Sequence, residues 1–311
     1  MSECDATAGA VGGGCGWRAV SGERLVVQSA SKLNIFLEVL GRREDGYHEL
    51  DTVMVRTRFC DTLTLIPDFS GSVRLRFSDS TPVALRSAVP LDGRNLILRA
   101  AEQLRGLGDS GCGAEIILHK CIPPESGLGG GSGNAAAALL GCRQIWKLSV
   151  SDERLHEIAA GLGSDINFLL SGVRAAVCRG RGEQIQPLPL SGSLYFVAVR
   201  PGRGNSTAEV FRRTSAGTER RTSAEVARCL TEGRADLLES CIFNRLTESA
   251  AGLNSEMADL QIRFQHAVGK PVFMSGSGST VFAVCRSARE AREVRQTVER
   301  KLRVVAWSLE V

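Results

Sequence analysis

The sequence feature that most constrains the fold is a glycine-rich segment at residues 127–133. Five of its seven residues are glycine, and the chain continues directly into Asn134 and the alanines 135–138. Glycine disfavours regular structure, whereas alanine is the best helix former, so the pattern predicts a loop that leads into the start of a helix. Backbone N–H groups and the positive end of the helix dipole at such a helix start form a site for phosphate.

A flexible linker is the ordinary alternative to a phosphate loop at this glycine segment. It is disfavoured here, because a linker is seldom followed at once by a polyalanine helix. The P-loop pattern GxxxxGK[ST] is absent, and the dinucleotide pattern GxGxxG does not fit because position 132 is serine. The segment therefore predicts a phosphate loop that is neither a Walker loop nor a Rossmann turn.

Length and composition limit the class of protein. The 311 residues are enough for two domains of roughly 150 residues each, and 43% apolar and 23% charged residues are typical of globular proteins. No run approaches the roughly 20 apolar residues of a membrane-spanning helix, so a membrane protein is excluded. The net charge is +4 without a polybasic block, and aromatic residues make up 5%, which disfavours a nucleic-acid partner.

The cysteines indicate the cellular compartment. There are ten, and the two nearest, Cys112 and Cys121, are nine residues apart, without any CxxC pattern. A zinc site is therefore not expected. Several cysteines lie in apolar runs, where a free thiol packs as a small core residue, and the N-terminus lacks the features of a signal peptide. The expected compartment is a reducing cytoplasm.

The chain divides into an extension and two larger parts. Residues 1–22 are rich in glycine and alanine and have no periodicity, which predicts a loose extension. Residues 23–190 open with short apolar runs typical of strands. Pro187 and Pro189 indicate a boundary near residue 190. In residues 191–311 strand and helix patterns alternate in the manner of an α+β sandwich.

Two charged residues could carry chemistry beside a phosphate loop. Asp165 begins a short helical pattern, where it either caps the helix or orients and deprotonates an attacking hydroxyl. Lys32, one of only five lysines, begins a strand pattern. It is either a surface residue or a cation that stabilises phosphoryl charge. The spacing leaves open whether the two side chains meet.

Two further segments are uninformative when each is taken alone. Tyr47 and His48 follow an Asp-Gly turn signal, and such residues are more often packing or surface residues than a site. Residues 275–280 have the sequence Ser-Gly-Ser-Gly-Ser-Thr between two strand patterns, a turn that many hairpins share.

Taken in order, these motifs resemble a family of small-molecule kinases. The Lys-Leu-Asn strand at residues 32–34, the glycine loop and the late Gly-Ser-Gly-Ser-Thr turn are similar to the galactokinase, homoserine kinase, mevalonate kinase and phosphomevalonate kinase superfamily. Within it, residues 31–34 followed by residues 41–50 (Gly-Arg-Arg-Glu-Asp-Gly-Tyr-His-Glu-Leu) resemble the 4-diphosphocytidyl-2-C-methyl-D-erythritol kinase family. The likeness runs from about Leu25 to the C-terminus and includes Gly-Ser-Asp at residues 163–165.

The resemblance implies a fold and an activity. The fold would be α+β, with an N-terminal β/α domain like ribosomal protein S5, a C-terminal ferredoxin-like sandwich and the active site in the cleft between them. The activity would be ATP-dependent phosphorylation of the 2-hydroxyl of a cytidine-diphosphate-linked methylerythritol, in non-mevalonate isoprenoid synthesis. ATP and Mg²⁺ are the implied cofactors, and small molecules the implied partners. Monomer and homodimer both stay open.

The resemblance also implies roles for individual residues. Lys32 and Asp165 would be the catalytic pair. The implied ATP-binding residues are Pro123, Gly127, Leu128, Gly129, Gly130, Gly131, Ser132 and Gly133, with Mg²⁺ carried on the ATP phosphates and Ser132 as its candidate protein ligand. The implied substrate-binding residues are Asn34, Tyr47, His48, Thr207 and Phe211, and Ser275, Gly276, Ser277 and Gly278 would form a turn near the site.

Three positions depart from the family pattern. Gly133 replaces a usual serine, and Asn167 replaces a frequent proline. Glu125 places a negative charge before the phosphate loop, where it would repel phosphate unless it points away or pairs with a cation.

Three alternative functions are compatible with parts of the sequence. Another kinase of the superfamily, of the homoserine or mevalonate type, is disfavoured by the segment 45–48. A catalytically silent nucleotide-binding homologue is disfavoured by the presence of Lys32 and Asp165. An RNA-binding module with the same N-terminal topology is disfavoured by the scattered basic residues and few aromatic residues.

Overall fold

The structure, a computed structural model, describes residues 17–20, 24–109 and 111–311. The strands are β1 (Trp17–Val20), β2 (Arg24–Arg42), β3 (His48–Asp68), β4 (Val73–Phe77), β5 (Gly113–His119), β6 (Ala175–Gly180), β7 (Gln184–Pro187), β8 (Tyr195–Val199), β9 (Phe243–Asn244), β10 (Phe273–Met274), β11 (Val281–Cys285) and β12 (Ala306–Glu310). The helices are α1 (Val83–Arg86), α2 (Leu96–Arg105), α3 (Gly130–Ile145), α4 (Asp152–Leu162), α5 (Ser164–Ser171), α6 (Thr207–Arg213), α7 (Ala224–Thr231), α8 (Ala235–Cys241), α9 (Thr247–Leu253), α10 (Ser255–Val268) and α11 (Ala288–Leu302).

A long antiparallel hairpin of β2 and β3 organises the first part of the chain. The strands have 19 and 21 residues, so they join several of the short apolar runs of the sequence. Register shifts at Ala30/Lys32, Asn34/Phe36 and Val39/Gly41 interrupt the regular pairing without ending the strands. Because of these irregularities, the strands are longer than the alternation of apolar residues predicts.

This hairpin forms the centre of an eight-stranded sheet. Strands β1, β2, β3, β5 and β4 are neighbours in that order, β6 pairs with β3 and β7, and β9 pairs with β2. Helix α3 packs on β2 and β3 through the fully buried alanines 135–138. Small residues allow this close approach, since a Cβ at Gly141 would lie 2.8 Å from the side chain of Leu65. The sheet therefore fixes the position of α3 and of the segment before it.

The second sheet has the strand order β10-β11-β8-β12, and all its strands are antiparallel. The outer strands are β10 and β12, which come second and fourth among these four strands along the chain. This is the ferredoxin-like arrangement. The expected α+β fold is confirmed. Leu33 and Phe36 of β2 share an apolar core with Phe196 and Phe282 of the second sheet, so the two sheets are packed together. Among the described helices, none is sufficiently long and apolar to cross a membrane.

The expectation of a loose N-terminal extension is wrong for Trp17–Val20. This segment forms β1 and pairs antiparallel with residues 24–27 of β2. Residues 1–16 and 21–23 of the extension lie outside the described residues. The physical reason for the error is that a short edge strand takes its hydrogen bonds from its neighbour and needs no long periodic pattern of its own.

Candidate active site

Lys32 and Asp165, which are remote in sequence, meet in the folded chain. The Lys32 ammonium lies 3.2 Å from Asp165 Oδ2 and donates a hydrogen bond of 2.5 Å to Asn34 Oδ1. Lys32 is only 3% exposed, whereas the Asp165 side chain is 29% exposed and lines a cavity. A buried cation beside an accessible carboxylate can stabilise phosphoryl charge while the carboxylate contacts a substrate.

The position of Asp165 in its helix argues against a simple capping role. Helix α5 begins at Ser164 with Gly163 as its N-cap, so Asp165 is the second helical residue. Both the helix N-terminus and the Lys32 ammonium favour its negative charge. The side chain is therefore held beside Lys32 at the cavity wall.

The glycine segment wraps around Lys32, and half of it is helical. The expectation that all of residues 127–133 lack regular structure is wrong, because α3 already begins at Gly130. Gly127 and Gly129 have φ of 75° and 69°, the left-handed region that favours glycine. A Cβ at Gly129 would lie 2.9 Å from Lys32 Cγ, and the Lys32 N–H donates to Leu128 O at 2.9 Å. The loop can therefore approach this lysine only as bare backbone.

The late glycine/serine turn closes over the same loop. Ser275 Oγ donates to Gly127 O at 3.0 Å and accepts from the Asn34 N–H at 3.1 Å. A Cβ at Gly276 would lie 3.2 Å from the Lys32 ammonium. The second half of the chain therefore contributes directly to the surroundings of Lys32 and Asp165.

A cavity of about 370 Å³ lies between the glycine loop and the Lys32–Asp165 pair. The expected site residues that line it are Lys32, Asn34, Pro123, Gly127, Gly129, Gly130, Gly131, Ser132, Asp165, Thr207, Phe211, Gly276 and Ser277. Leu128 does not, because its side chain is fully buried in the core, and Gly133 packs against the backbone of β2. The backbone at the start of α3 therefore forms one wall, as a phosphate site requires.

A second cavity of about 750 Å³ contains the aromatic residues. Tyr47, His48 and Phe211 line it, and the His48 and Phe211 rings have centroids 5.2 Å apart. Tyr47 is 53% exposed. Burial, with a smaller effect of the Arg42 charge, lowers the pKa of His48, so its ring is neutral at neutral pH. Neutral rings of this kind suit a flat heterocyclic ligand.

The two cavities adjoin each other. Both are lined by Ser164, Arg181, Thr207 and Phe211. Thr207 Oγ1 lies 2.8 Å from Ser277 Oγ, which joins α6 to the glycine/serine turn. A ligand bound by the aromatic residues can therefore extend toward Lys32 and Asp165.

Two residues of the site were missed by sequence reasoning. Arg181 lies between two glycines with positive φ, and its guanidinium lies 4.7 Å from the centre of the Tyr47 ring. Thr52 accepts a hydrogen bond from the Asn34 amide at 2.9 Å and donates to Phe36 O at 2.6 Å, which orients Asn34. The Gly-Arg-Gly sequence was the available signal for Arg181, whereas Thr52 has none.

The structure accommodates each departure from the family pattern. Serine does not fit at position 133, since a Cβ there would lie 2.4 Å from Ala30 O. Asn167 bonds to the His156 ring at 3.1 Å and donates to Glu183 O at 3.5 Å. The exposed Glu125 lines the smaller cavity and interacts electrostatically with Arg200, so a cation lies in the neighbourhood of this charge.

Comparisons with known proteins assign the chain to a family. The family model described as "GHMP kinases N terminal domain" matches residues 95–178, and the model described as "GHMP kinases C terminal" matches residues 224–304. A 4-diphosphocytidyl-2-C-methyl-D-erythritol kinase from Pelotomaculum thermopropionicum is 37% identical over 266 residues, which covers 85% of this chain and 90% of that protein. The chain belongs to the 4-diphosphocytidyl-2-C-methyl-D-erythritol kinase family. Within this family, a relative from Thermobifida fusca is 36% identical and covers 87% of the chain and 90% of its own length.

Solved structures agree with membership in this kinase family. A crystal structure of a 4-(cytidine 5'-diphospho)-2C-methyl-D-erythritol kinase has a TM-score of 0.73 at 31% identity, and covers 92% of this chain and 98% of that chain. A homoserine kinase from Cytophaga hutchinsonii has a TM-score of 0.66 at 16% identity over 94% of this chain and 96% of its own, which shows a shared fold alone. The resemblance stated from the sequence is confirmed, and the family's chemistry is ATP-dependent phosphoryl transfer.

Proposed function

We propose that this protein transfers the γ-phosphoryl group of ATP to the 2-hydroxyl of 4-diphosphocytidyl-2-C-methyl-D-erythritol, giving the 2-phosphate and ADP. The observation that carries the proposal is the Lys32–Asp165 pair in the glycine-lined cavity, which shares Ser164, Arg181, Thr207 and Phe211 with the aromatic cavity. The reaction would be a step of non-mevalonate isoprenoid synthesis in the cytoplasm.

The two charged side chains have different tasks in this reaction. Asp165 orients the substrate hydroxyl and takes its proton as the oxygen attacks the γ-phosphorus. The bond from the γ-phosphorus to the bridging oxygen breaks, and that oxygen leaves with ADP. Lys32, held by Asn34 and buried, neutralises the charge that develops between the hydroxyl and the γ-phosphate.

The loop and helix α3 would hold the nucleotide. Gly127, Gly129, Gly130 and Gly131 line the smaller cavity without side chains, so their backbone can surround phosphate oxygens. Ser132 lines the same cavity and offers an oxygen ligand of the kind that Mg²⁺ prefers. Within the described residues no cluster of three or more acidic, cysteine or histidine side chains could hold a metal. Bound Mg²⁺ would neutralise charge on the transferring phosphates.

The larger cavity would hold the cytidine end of the substrate. Tyr47 and Phe211 supply aromatic surfaces for stacking, and His48 and Thr207 supply polar groups beside them. Arg181 lines both cavities and can contact the diphosphate that joins the nucleoside to the polyol. Asn34 lies where the polyol would approach Lys32.

This assignment gives the two parts of the chain different roles. We place an ATP-binding domain with the catalytic pair at residues 23–190 and a substrate-side domain at residues 191–311. The phosphate loop, Lys32 and Asp165 all belong to the first part, whereas Thr207 and Phe211 belong to the second. The substrate cavity uses Tyr47 and His48 of the first part as well, so catalysis needs both parts.

The test is ADP release with ATP and Mg²⁺, measured with 4-diphosphocytidyl-2-C-methyl-D-erythritol, homoserine and mevalonate in parallel. We expect turnover on the cytidyl compound alone and its loss in Asp165→Asn. Turnover on one of the other alcohols would keep the chemistry but reject the cytidine pocket. ATP binding without turnover on any of the three would indicate a silent homologue.

A further inference from the structure

A buried lysine outside the catalytic pair lies directly beneath the phosphate loop. Lys120 follows β5, is 2% exposed and forms an ion pair of 2.5 Å with Asp61, whose side chain has no exposed surface. Neither residue is among those that line the two cavities. Their role is therefore not to contact a ligand directly.

Asp61 fixes the segment that enters the loop. While Oδ2 accepts from Lys120, Oδ1 accepts from the backbone N–H groups of Cys121 and Ile122, at 2.7 and 2.8 Å. Asp61 lies on β3, so this carboxylate attaches the entry of the loop to the central hairpin. Pro123, the next residue, already lines the smaller cavity.

Lys120 contacts the point where the loop ends. A Cβ at Gly130, the first residue of α3, would lie 3.0 Å from the Lys120 ammonium and 2.9 Å from Ile122 Cγ2. The ammonium is therefore packed against the backbone that begins the helix. A single ion pair thus touches both ends of residues 121–129, the segment that leads along the wall of the smaller cavity.

Stability alone does not account for this pair. Burial lowers the pKa of Lys120, which measures the cost of removing the ammonium from water. Well-packed apolar residues commonly serve a protein core as well as a buried ion pair does. The Asp61 carboxylate accepts hydrogen bonds from the loop entry, and the Lys120 ammonium packs on the start of α3. The pair can therefore hold these two segments in position, which apolar residues could not do.

We propose that Lys120 and Asp61 are positioning residues for nucleotide binding. They fix the start of the phosphate loop, at Cys121 and Ile122, relative to its end at Gly130. The proposal rests on the proposed function in so far as ATP is the phosphoryl donor. Loss of the pair would let the loop move relative to Lys32 and weaken the nucleotide site, while the cytidine pocket, built from other elements, would keep its affinity.

The experiment compares Lys120→Met, Lys120→Arg and the double variant Lys120→Met/Asp61→Asn with the wild type. The control is Lys270→Met. Lys270 also forms an ion pair, of 2.7 Å with Glu290, but both residues are remote in sequence from Lys120 and the phosphate loop. The dissociation constant of the non-hydrolysable analogue AMP-PNP is measured by calorimetry, together with Tm and with the KM of each substrate. Lys120→Arg keeps the charge but crowds Gly130, so it tests position even where Lys120→Met does not fold.

We expect Lys120→Met and Lys120→Arg to weaken AMP-PNP binding by about tenfold or more, with the KM for the cytidyl substrate changed by less than about twofold. The control Lys270→Met should lower Tm without weakening AMP-PNP binding. Unchanged AMP-PNP affinity in a folded Lys120 variant, or equal weakening in the control, would overturn the proposal. Binding of the analogue needs no second substrate, so a wild-type protein that binds it without phosphorylating the cytidyl compound would refute the proposed function alone.

Discussion

One ammonium group is shared by two partners at the centre of the site. Lys32 contacts the carboxylate of Asp165 and the amide oxygen of Asn34, and Asn34 is in turn oriented by Thr52. Asn34 thus fixes the ammonium from the buried side, while Asp165 meets it from the cavity. This asymmetry leaves the carboxylate accessible to a hydroxyl and keeps the cation away from water.

Replacing the carboxylate should affect chemistry and leave nucleotide binding intact. In Asp165→Asn the amide can still contact Lys32 but cannot take a proton, so kcat should fall by about 10²-fold or more. The dissociation constant of ATP, measured separately, should stay nearly unchanged, because the loop backbone is untouched. An equal loss of ATP binding would instead mean that Asp165 has a structural role at the start of α5.

Removing the exposed tyrosine ring should affect only one substrate. A base stacked on an aromatic side chain gains about 1–3 kcal/mol, so Tyr47→Ala should raise the KM for the cytidyl substrate by about tenfold or more. The KM for ATP should stay the same, because Tyr47 lines only the larger cavity. Steady-state kinetics with each substrate varied in turn are the measurement.

A matched control for Tyr47 is Phe69→Ala. Phe69 is 87% exposed and does not line either cavity. This variant should leave both KM values unchanged. A parallel rise of the two KM values in Tyr47→Ala would show that the ring supports the site as a whole.

At the level of the elements, α3 is pressed so closely on β2 that only glycine fits at one contact. A Cβ at Gly133 would meet Ala30 O at 2.4 Å, and Ala30 lies two residues before Lys32. The family's usual serine at this position should therefore be unfavourable here. We expect Gly133→Ser to lower the free energy of unfolding by about 1–3 kcal/mol, as overpacked core positions do.

Urea unfolding of Gly133→Ser checks this, with Gly161→Ala as the control. Gly161 lies in α4, and a Cβ there would have no atom within 4 Å. Alanine at a helical position without a clash should stabilise the protein by about 0.5–1 kcal/mol. Serine at 133 without loss of stability would show that α3 can shift away from β2.

The elements with local signals were predictable from the sequence, and those set by distant contacts were not. Ser151 caps α4 through the Arg154 N–H, and Asn95 caps α2 through the Ile97 N–H, as their types and positions suggest. In contrast, β1 depends on the edge of β2, and the start of α3 at Gly130 depends on packing against the core.

The same distinction holds for the candidate site. Lys32 and Asp165 could be named because they lie in recognisable motifs, yet their contact arises only when α5 packs beside β2. Thr52 reaches the site from within β3, where the local sequence carries no signal of a site. Arg181 directly follows β6, and its only local signal is the Gly-Arg-Gly sequence. Sequence motifs therefore identify the reactive side chains, whereas only the folded structure shows which residues contact them.

At the scale of the whole molecule, a buried ion pair links the two parts of the chain. Arg245, just after β9, donates to both oxygens of Glu38 on β2 at 2.7 and 2.8 Å, and the Glu38 side chain is fully buried. Removal of one partner from a buried pair leaves the other charge uncompensated. Arg245→Met should therefore destabilise the protein by about 3–5 kcal/mol.

The comparison for Arg245 is Arg289→Met. Arg289 and Glu293 form an ion pair of similar length, 2.8 Å, but both side chains are exposed. Its loss should change the free energy of unfolding by less than about 1 kcal/mol. Similar effects of the two substitutions in urea unfolding would mean that Glu38 retains enough other hydrogen bonds to stay charged.

The short strand β9 also determines what would happen if the backbone were cut near residue 190. Residues of the second part complete the first sheet by pairing with Phe36 and Leu37, and Arg174 donates to the carbonyl of Val311 at 2.9 Å. With the shared apolar core, these contacts would hold two separately expressed fragments together as a non-covalent complex. The gene could thus be divided at this point, and the enzyme recovered by fragment complementation.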